Sequence, residues 1–130
     1  MESSAGHESK RVVLVSGHYL GSRRKAGFHW LAEAYWRAGW DVLFVTTGFS
    51  WLSYLRRDYR LAYGLRGQAN QIRAVDERVS SFVWFTRWHP ANLRLSVLNC
   101  LSRRIFARYG ELPLADEVQE RIRQTDLIIF

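Results

Sequence analysis

The stretch Arg11–Thr46 constrains the chain more than any other. Val12–Val15 is a short apolar run closed by Ser16-Gly17, the composition of a buried parallel strand. From Phe28 the period changes: Phe28, Leu31, Ala32 and Tyr35 fall on one face of an amphipathic helix. Gly39 stands where a helix C-cap belongs, and Asp41–Thr46 (DVLFVT) returns to strand composition. Strand, crossover helix and strand make a βαβ unit. In open α/β sheets, ligands bind outside the carboxyl ends of the strands. That edge is here the loop Gly17–Lys25 (GHYLGSRRK).

The rest of the chain extends the same pattern. Phe49–Leu61 is predicted helical, with Trp51, Tyr54 and Leu55 on one side and Arg56, Arg57 and Arg60 opposite. Gly64 and Gly67 interrupt it. Gln71–Glu77 alternates weakly and Ser80–Thr86 strongly, as a hairpin or one bulged strand. His89-Pro90 is a breaker, and Asn92 is placed to cap a long helix over Leu93–Tyr109. Its apolar stripe is Val97, Leu98, Leu101, Ile105 and Tyr109, with Arg94, Arg103, Arg104 and Arg108 around it. Leu114–Gln124 is predicted as a shorter helix with Val118 and Ile122 inward, and Asp126–Phe130 as another buried parallel strand. Residues 1–10 are polar and read as a loose tail. The order β-α-β-α-β-α-α-β resembles the front half of a doubly wound domain, which is expected to be incomplete at its carboxyl end.

Bulk properties narrow the function. The single cysteine, Cys100, rules out an internal disulfide or a cysteine-built metal site. It falls in an apolar helical pattern and is expected to be a small buried hydrophobe. A formal net charge of +7 on 130 residues predicts an anionic partner. No apolar run approaches the roughly 18 residues needed to span a bilayer. Glu2 and Glu8 precede only a four-residue apolar run, unlike a signal peptide. A cytoplasmic chain, resting on a membrane surface, is the expectation.

The first loop matches neither standard nucleotide fingerprint: its glycines, at 17, 21 and 27, fit neither G-x-G-x-x-G nor the phosphate loop. It does hold Arg23, Arg24 and Lys25 beside a helix N-terminus, where free N–H groups favour anions. Solvated basic residues and phosphate contacts both fit. His18 and His29 fit either a proton-transfer or phosphate-donor role, or structural hydrogen bonding. No two acidic residues form an acid/base pair by spacing. Trp51 with Arg56, Arg57 and Arg60, and the basic helix carrying Arg103, Arg104 and Arg108, resemble faces that lie on anionic lipid. Core tryptophans and solvated arginines are the alternative. No nucleic-acid-binding motif is present.

Taken together, His18, Arg24-Lys25-Ala26, His29, Leu52-Ser53, Asp58, Arg60-Leu61, Trp84, His89-Pro90, Asn92, Arg94 and the strand 126–130 carry a resemblance in one order. They resemble the N-terminal half of the membrane-associated glucuronosyltransferases of xanthan-type exopolysaccharide assembly, inverting enzymes of the two-Rossmann GT-B architecture. The first loop departs from that pattern at Tyr19–Ser22. The resemblance implies a Rossmann-like open parallel sheet with flanking helices. It also implies an acceptor-binding, membrane-facing role toward a lipid-diphosphate-linked oligosaccharide, with a UDP-sugar bound by a separate C-terminal domain and no essential metal. The family's catalytic aspartate lies past the last strand, so no catalytic residue is carried over. His18, Arg24, Lys25 and His29 are the acceptor-side candidates. A non-enzymatic basic module binding nucleic acid or another anionic polymer is the alternative.

Overall fold

The computed structural model describes residues 8–90 and 96–130. Five strands form one open sheet: β1 (Arg11–Ser16), β2 (Asp41–Ser50), β3 (Ile72–Asp76), β4 (Val79–Thr86) and β5 (Leu127–Ile129). Their order is β3-β4-β2-β1-β5, parallel except for β3, which pairs antiparallel with β4. The α/β expectation holds, and the weak strand Gln71–Glu77 resolves as the outer arm of a hairpin. Counting only parallel strands, the order is third, second, first, fourth. Direction therefore reverses between β1 and β5, the place where such sheets open a ligand crevice.

Alternation along the central strands sorts the core onto two faces. Val12, Leu14, Val42 and Phe44 pack with Ala32, Phe28, Leu31 and Tyr35 of helix α1 (Gly27–Arg37). Val13, Leu43, Val45 and Phe82 pack on the other face against Val118 and Ile122 of α4 (Asp116–Arg123). Because both faces are covered, β1 and β2 are nearly continuous apolar runs. Helix α4 carries Asp116 and Glu117 in its first turn and Arg121 and Arg123 in its last, complementing the helix dipole.

Gly39 ends α1 as expected. With φ +87° it lets the Gly39 N–H reach Trp36 O and the Trp40 N–H reach Tyr35 O, both at 3.0 Å. This is a Schellman ending, and the apolar contact that accompanies it is present: the Tyr35 and Trp40 rings lie 5.0 Å apart.

Three expectations are corrected. The helix predicted over Phe49–Leu61 is broken: β2 continues to Ser50, α2 covers only Trp51–Leu55, and 3₁₀ turns follow at Tyr59–Tyr63 and Leu65–Gln68. Ser50 caps α2 by accepting from Leu52 N–H, and Arg57 at φ +52° reverses the chain before Asp58. The long helix predicted over Leu93–Tyr109 is α3 (Ser96–Phe106), with a separate 3₁₀ turn at Tyr109–Glu111. Asn92 and the predicted helix start lie outside the described residues, as does most of the predicted tail. Finally, Cys100 is exposed rather than buried, because α3 turns Ser102 inward and much of its apolar stripe outward.

Candidate functional site

The carboxyl ends of β1, β2 and β4 meet at one edge of the sheet, and the loops there build the candidate site. The loop after β1 is compact. Ser22 N–H bonds Tyr19 O at 3.1 Å, and its hydroxyl donates to Arg24 O at 2.7 Å. The Tyr19 ring folds back so tightly that a Cβ on Gly21 would lie 2.7 Å from it. That ring packs on Tyr63 and its hydroxyl donates to Gln68 Oε1 at 2.7 Å, so the 3₁₀ segment braces the loop. Arg23, Arg24 and Lys25 are left exposed beside the N-terminus of α1. None of the three has a carboxylate partner among the described residues. His18 is also exposed, its ring 6.2 Å from that of His29.

His29 differs from its neighbour. It is buried, and both ring nitrogens are engaged: Nδ1 accepts from Ala26 N–H at 3.0 Å and Nε2 donates to Tyr19 O at 2.8 Å. It occupies the third helical position, where a glutamate or glutamine usually reaches back to the cap residue. His29 therefore pins the loop to the helix, and neither nitrogen is left to meet a ligand.

Arg60 overturns its assignment to a membrane-facing surface. It is 6% exposed, and all five of its guanidinium hydrogens are used. Nη1 donates to Gly17 O at 2.7 Å and Thr47 O at 2.9 Å, while Nη2 donates to Gly48 O and to Asp58 Oδ2. Nε completes the fork on Asp58 at 3.0 Å. One side chain thus joins the loop after β1, the bulged end of β2 and the turn after α2. Burial alone would raise the Asp58 pKa, but the hydrogen bonds and charge of Arg60, with a smaller contribution from His89, hold it below the ordinary carboxylate value.

The segment after β4 supplies a residue that periodicity did not single out, His89, and Tyr109 of the predicted apolar stripe joins it. His89 Nδ1 lies 2.6 Å from Ser50 Oγ, and the 3₁₀ turn Tyr109–Glu111 brings the Tyr109 hydroxyl to the same edge, where its oxygen accepts from Gly48 N–H at 3.2 Å. Burial pushes the Tyr109 phenol up. The only hints in the sequence were the His89-Pro90 dipeptide and an aspartate two positions before Arg60.

The remaining surface candidates are exposed. Trp51 is 54% exposed, stacked edge-on against Phe85, with Arg66 over its ring at 5.9 Å. Arg56 and Arg57 follow it, also exposed. On α3, Val97 is 80% exposed, Leu101 55% and Leu98 41%, with Arg103, Arg104 and Arg108 exposed beside them. The Ile105 side chain lies outside the described residues. No helix among the described residues is long and apolar enough to cross a membrane. A larger cleft, about 390 Å³, opens at the opposite, amino edge of the sheet. There Arg11 bonds Gln124, and Arg121 lies near Glu117 and Ser80, so much of its charge is matched internally.

Residues 14–130 match the family model described as "Glucuronosyltransferase GumK, N-terminal domain". The chain belongs to that family. A relative in Xanthomonas campestris pv. campestris, the UDP-glucuronate:glycolipid 2-beta-glucuronosyltransferase, is 27% identical over 118 residues. The alignment covers 91% of this chain and 28% of the relative. The chain spans just over a quarter of the relative's length.

Proposed function

We propose that this chain is the acceptor-binding, membrane-facing part of an inverting glycosyltransferase. The parent enzyme moves a sugar, glucuronate in the resembled family, from a UDP-sugar to a lipid-diphosphate-linked oligosaccharide in exopolysaccharide synthesis. Donor binding belongs to a separate domain, the catalytic aspartate lies past the last strand, and the enzyme works on the inner face of the cytoplasmic membrane. His18, Arg24 and Lys25 contact the acceptor's phosphates. His29 supports them by holding the loop on α1. Trp51, Arg56, Arg57 and α3 rest on lipid.

The observation that carries this reading is α3, whose exposed Val97, Leu98 and Leu101 stand beside Arg103, Arg104 and Arg108. An apolar stripe flanked by arginines suits an interface where tails meet anionic headgroups. Each arginine near such a surface contributes about 1 kcal/mol. Flotation with phosphatidylglycerol-containing vesicles should therefore show salt-sensitive binding. Reversing all three arginines to glutamate should weaken it by more than about two orders of magnitude, since each lost attraction is replaced by a repulsion. Indifference to vesicles at every salt concentration would defeat the membrane part. If nucleic acid instead bound with a steep salt slope, the alternative of a basic binding module would replace it. The acceptor part is checked on the full-length enzyme with UDP-glucuronate and a lipid-linked acceptor. Neutralising Arg24 and Lys25 together should raise the acceptor KM more than it lowers kcat.

A further inference from the structure

A second pocket lies on the far side of Arg60 from the first loop. It has a volume of about 230 Å³ and is lined by Ser53, Arg56, Asp58, Tyr59 and His89. Arg60 separates the two regions: Nη1 holds Gly17 of the loop, while Nε and Nη2 hold Asp58 in the pocket wall. We propose that this pocket binds a phosphoryl group, with His89 Nε2–H as its directional donor and Arg56 as its charge.

The hydrogen bonds determine which histidine nitrogen faces a ligand. Ser50 Oγ accepts from Leu52 N–H at 3.1 Å and lies 2.6 Å from His89 Nδ1. The Ser50 hydroxyl hydrogen has no other acceptor among the described residues, so it is donated to Nδ1. The ring proton then sits on Nε2, which has no partner among the described residues. Pro90 restricts His89 to extended backbone, which limits the ring's alternatives. Burial, followed by the charges of Arg60 and Arg56, holds His89 below the ordinary histidine pKa against the opposing pull of Asp58. The ring is therefore a neutral donor at physiological pH.

The charge pattern selects an anion. Asp58 lines the pocket, but its carboxylate is occupied by Arg60 Nε, Nη2 and backbone N–H. Arg56 has no carboxylate partner among the described residues. Of the lining residues, Arg56 carries the unmatched charge, because Asp58 is neutralised by Arg60 from behind the pocket wall. A guanidinium beside a neutral N–H donor suits the several acceptor oxygens of a phosphoryl group. This inference shares Arg56 with the lipid-facing reading but uses none of the first-loop cations, so it can fail while the acceptor reading holds, and the reverse.

The test is the side-chain ¹H–¹⁵N spectrum of His89 in the 130-residue chain, titrated with inorganic phosphate and pyrophosphate at constant ionic strength. Saturable movement of the Nε2 signal by about 10 mM is expected. Arg56→Gln, at an exposed position, should weaken it at least tenfold. His89→Gln, which keeps a donor near Nε2, should retain more affinity than His89→Ala. Phosphatidylglycerol vesicles form the second arm. A response to vesicles but not to soluble phosphate would identify a lipid headgroup as the source, and the reverse a soluble phosphate; either supports a phosphoryl site. No response in either arm would overturn the proposal, as would acetate acting as well as phosphate, or unchanged affinity in Arg56→Gln. The wild-type titration and the Arg56 variant decide the matter even if His89→Ala fails to fold.

Discussion

Arg60 and the arginines on and just after α3 look alike in the sequence: both lie in basic stretches with helical spacing. In the folded chain they behave oppositely. Arg60 is sealed at the carboxyl edge and spends every donor on three backbone carbonyls and Asp58. Arg103, Arg104 and Arg108 stand in solvent, without a carboxylate partner among the described residues, beside an uncovered apolar stripe. The lesson is that an arginine's role depends on whether the fold brings acceptors to it. At Arg60, loop carbonyls with no strand partner create a demand for donors that a guanidinium fork meets better than lysine's point charge. At α3 nothing in the described structure makes such a demand, so the charge is available to an external partner.

Substitution at Arg60 should give the largest effect. Arg60→Ala strands the Asp58 carboxylate and three carbonyls, and should cost about 3–5 kcal/mol in urea denaturation. That is a large share of the stability of an ordinary domain. Arg60→Lys should recover only part of it. If Arg60→Ala unfolds like wild type, the contrast with α3 collapses.

Next in size is the acid response of the same pair. Asp58 is held below its ordinary value of 3.8, so its stabilisation is present above that pH and is lost as pH falls through the lower folded-state pKa. A double-mutant cycle of Asp58→Asn with Arg60→Ala should show a coupling of about 1–3 kcal/mol at neutral pH. The coupling should shrink as the carboxylate protonates. His89 has the same sign over a higher window: held below 6.5, it makes stability fall as pH drops from that value toward its folded pKa. Comparing wild type with His89→Gln between pH 7 and 5 isolates that contribution.

A smaller effect sharpens the boundary between the two regions. Arg57 is exposed and held at φ +52°, where a side chain is strained. Arg57→Gly should stabilise by about 0.5–1 kcal/mol, since relief of strain outweighs glycine's greater freedom when unfolded. A loss of stability would mean that its side chain makes a contact the geometry does not reveal. The smallest change belongs to α3 itself. Arg103→Glu and Arg104→Glu should each alter stability by under about 0.5 kcal/mol, whatever they do to vesicle binding. Cys100, on the same helix, should react with a thiol reagent in the native chain without prior unfolding.

The scaffold was legible in residue order because its signals are local and periodic. Val12–Val15, the Phe28–Tyr35 stripe, Gly39 and Val118 with Ile122 each declare an element and the side it buries. The exposed cations of the first loop were legible too, since turn composition and charge are local properties. His29 could be found but not assigned, because its role depends on the Tyr19 carbonyl that the loop folds back toward it.

By itself, then, the sequence determined the α/β class, the two-faced core, the basic loop at the carboxyl edge and the order of motifs that marks the GumK N-terminal-domain family. These follow from apolar periodicity, capping and turn chemistry over short spans. Only the tertiary structure decided that Arg60 is a buried bolt, that α3 turns its stripe outward, and that Ser53, Asp58 and His89 line one pocket. Hydrogen bonds spanning 39 residues, as between Ser50 and His89, or 43, as between Arg60 and Gly17, leave no periodic trace. They exist because parallel strands bring their carboxyl ends, and the unpaired backbone groups beyond them, to one edge.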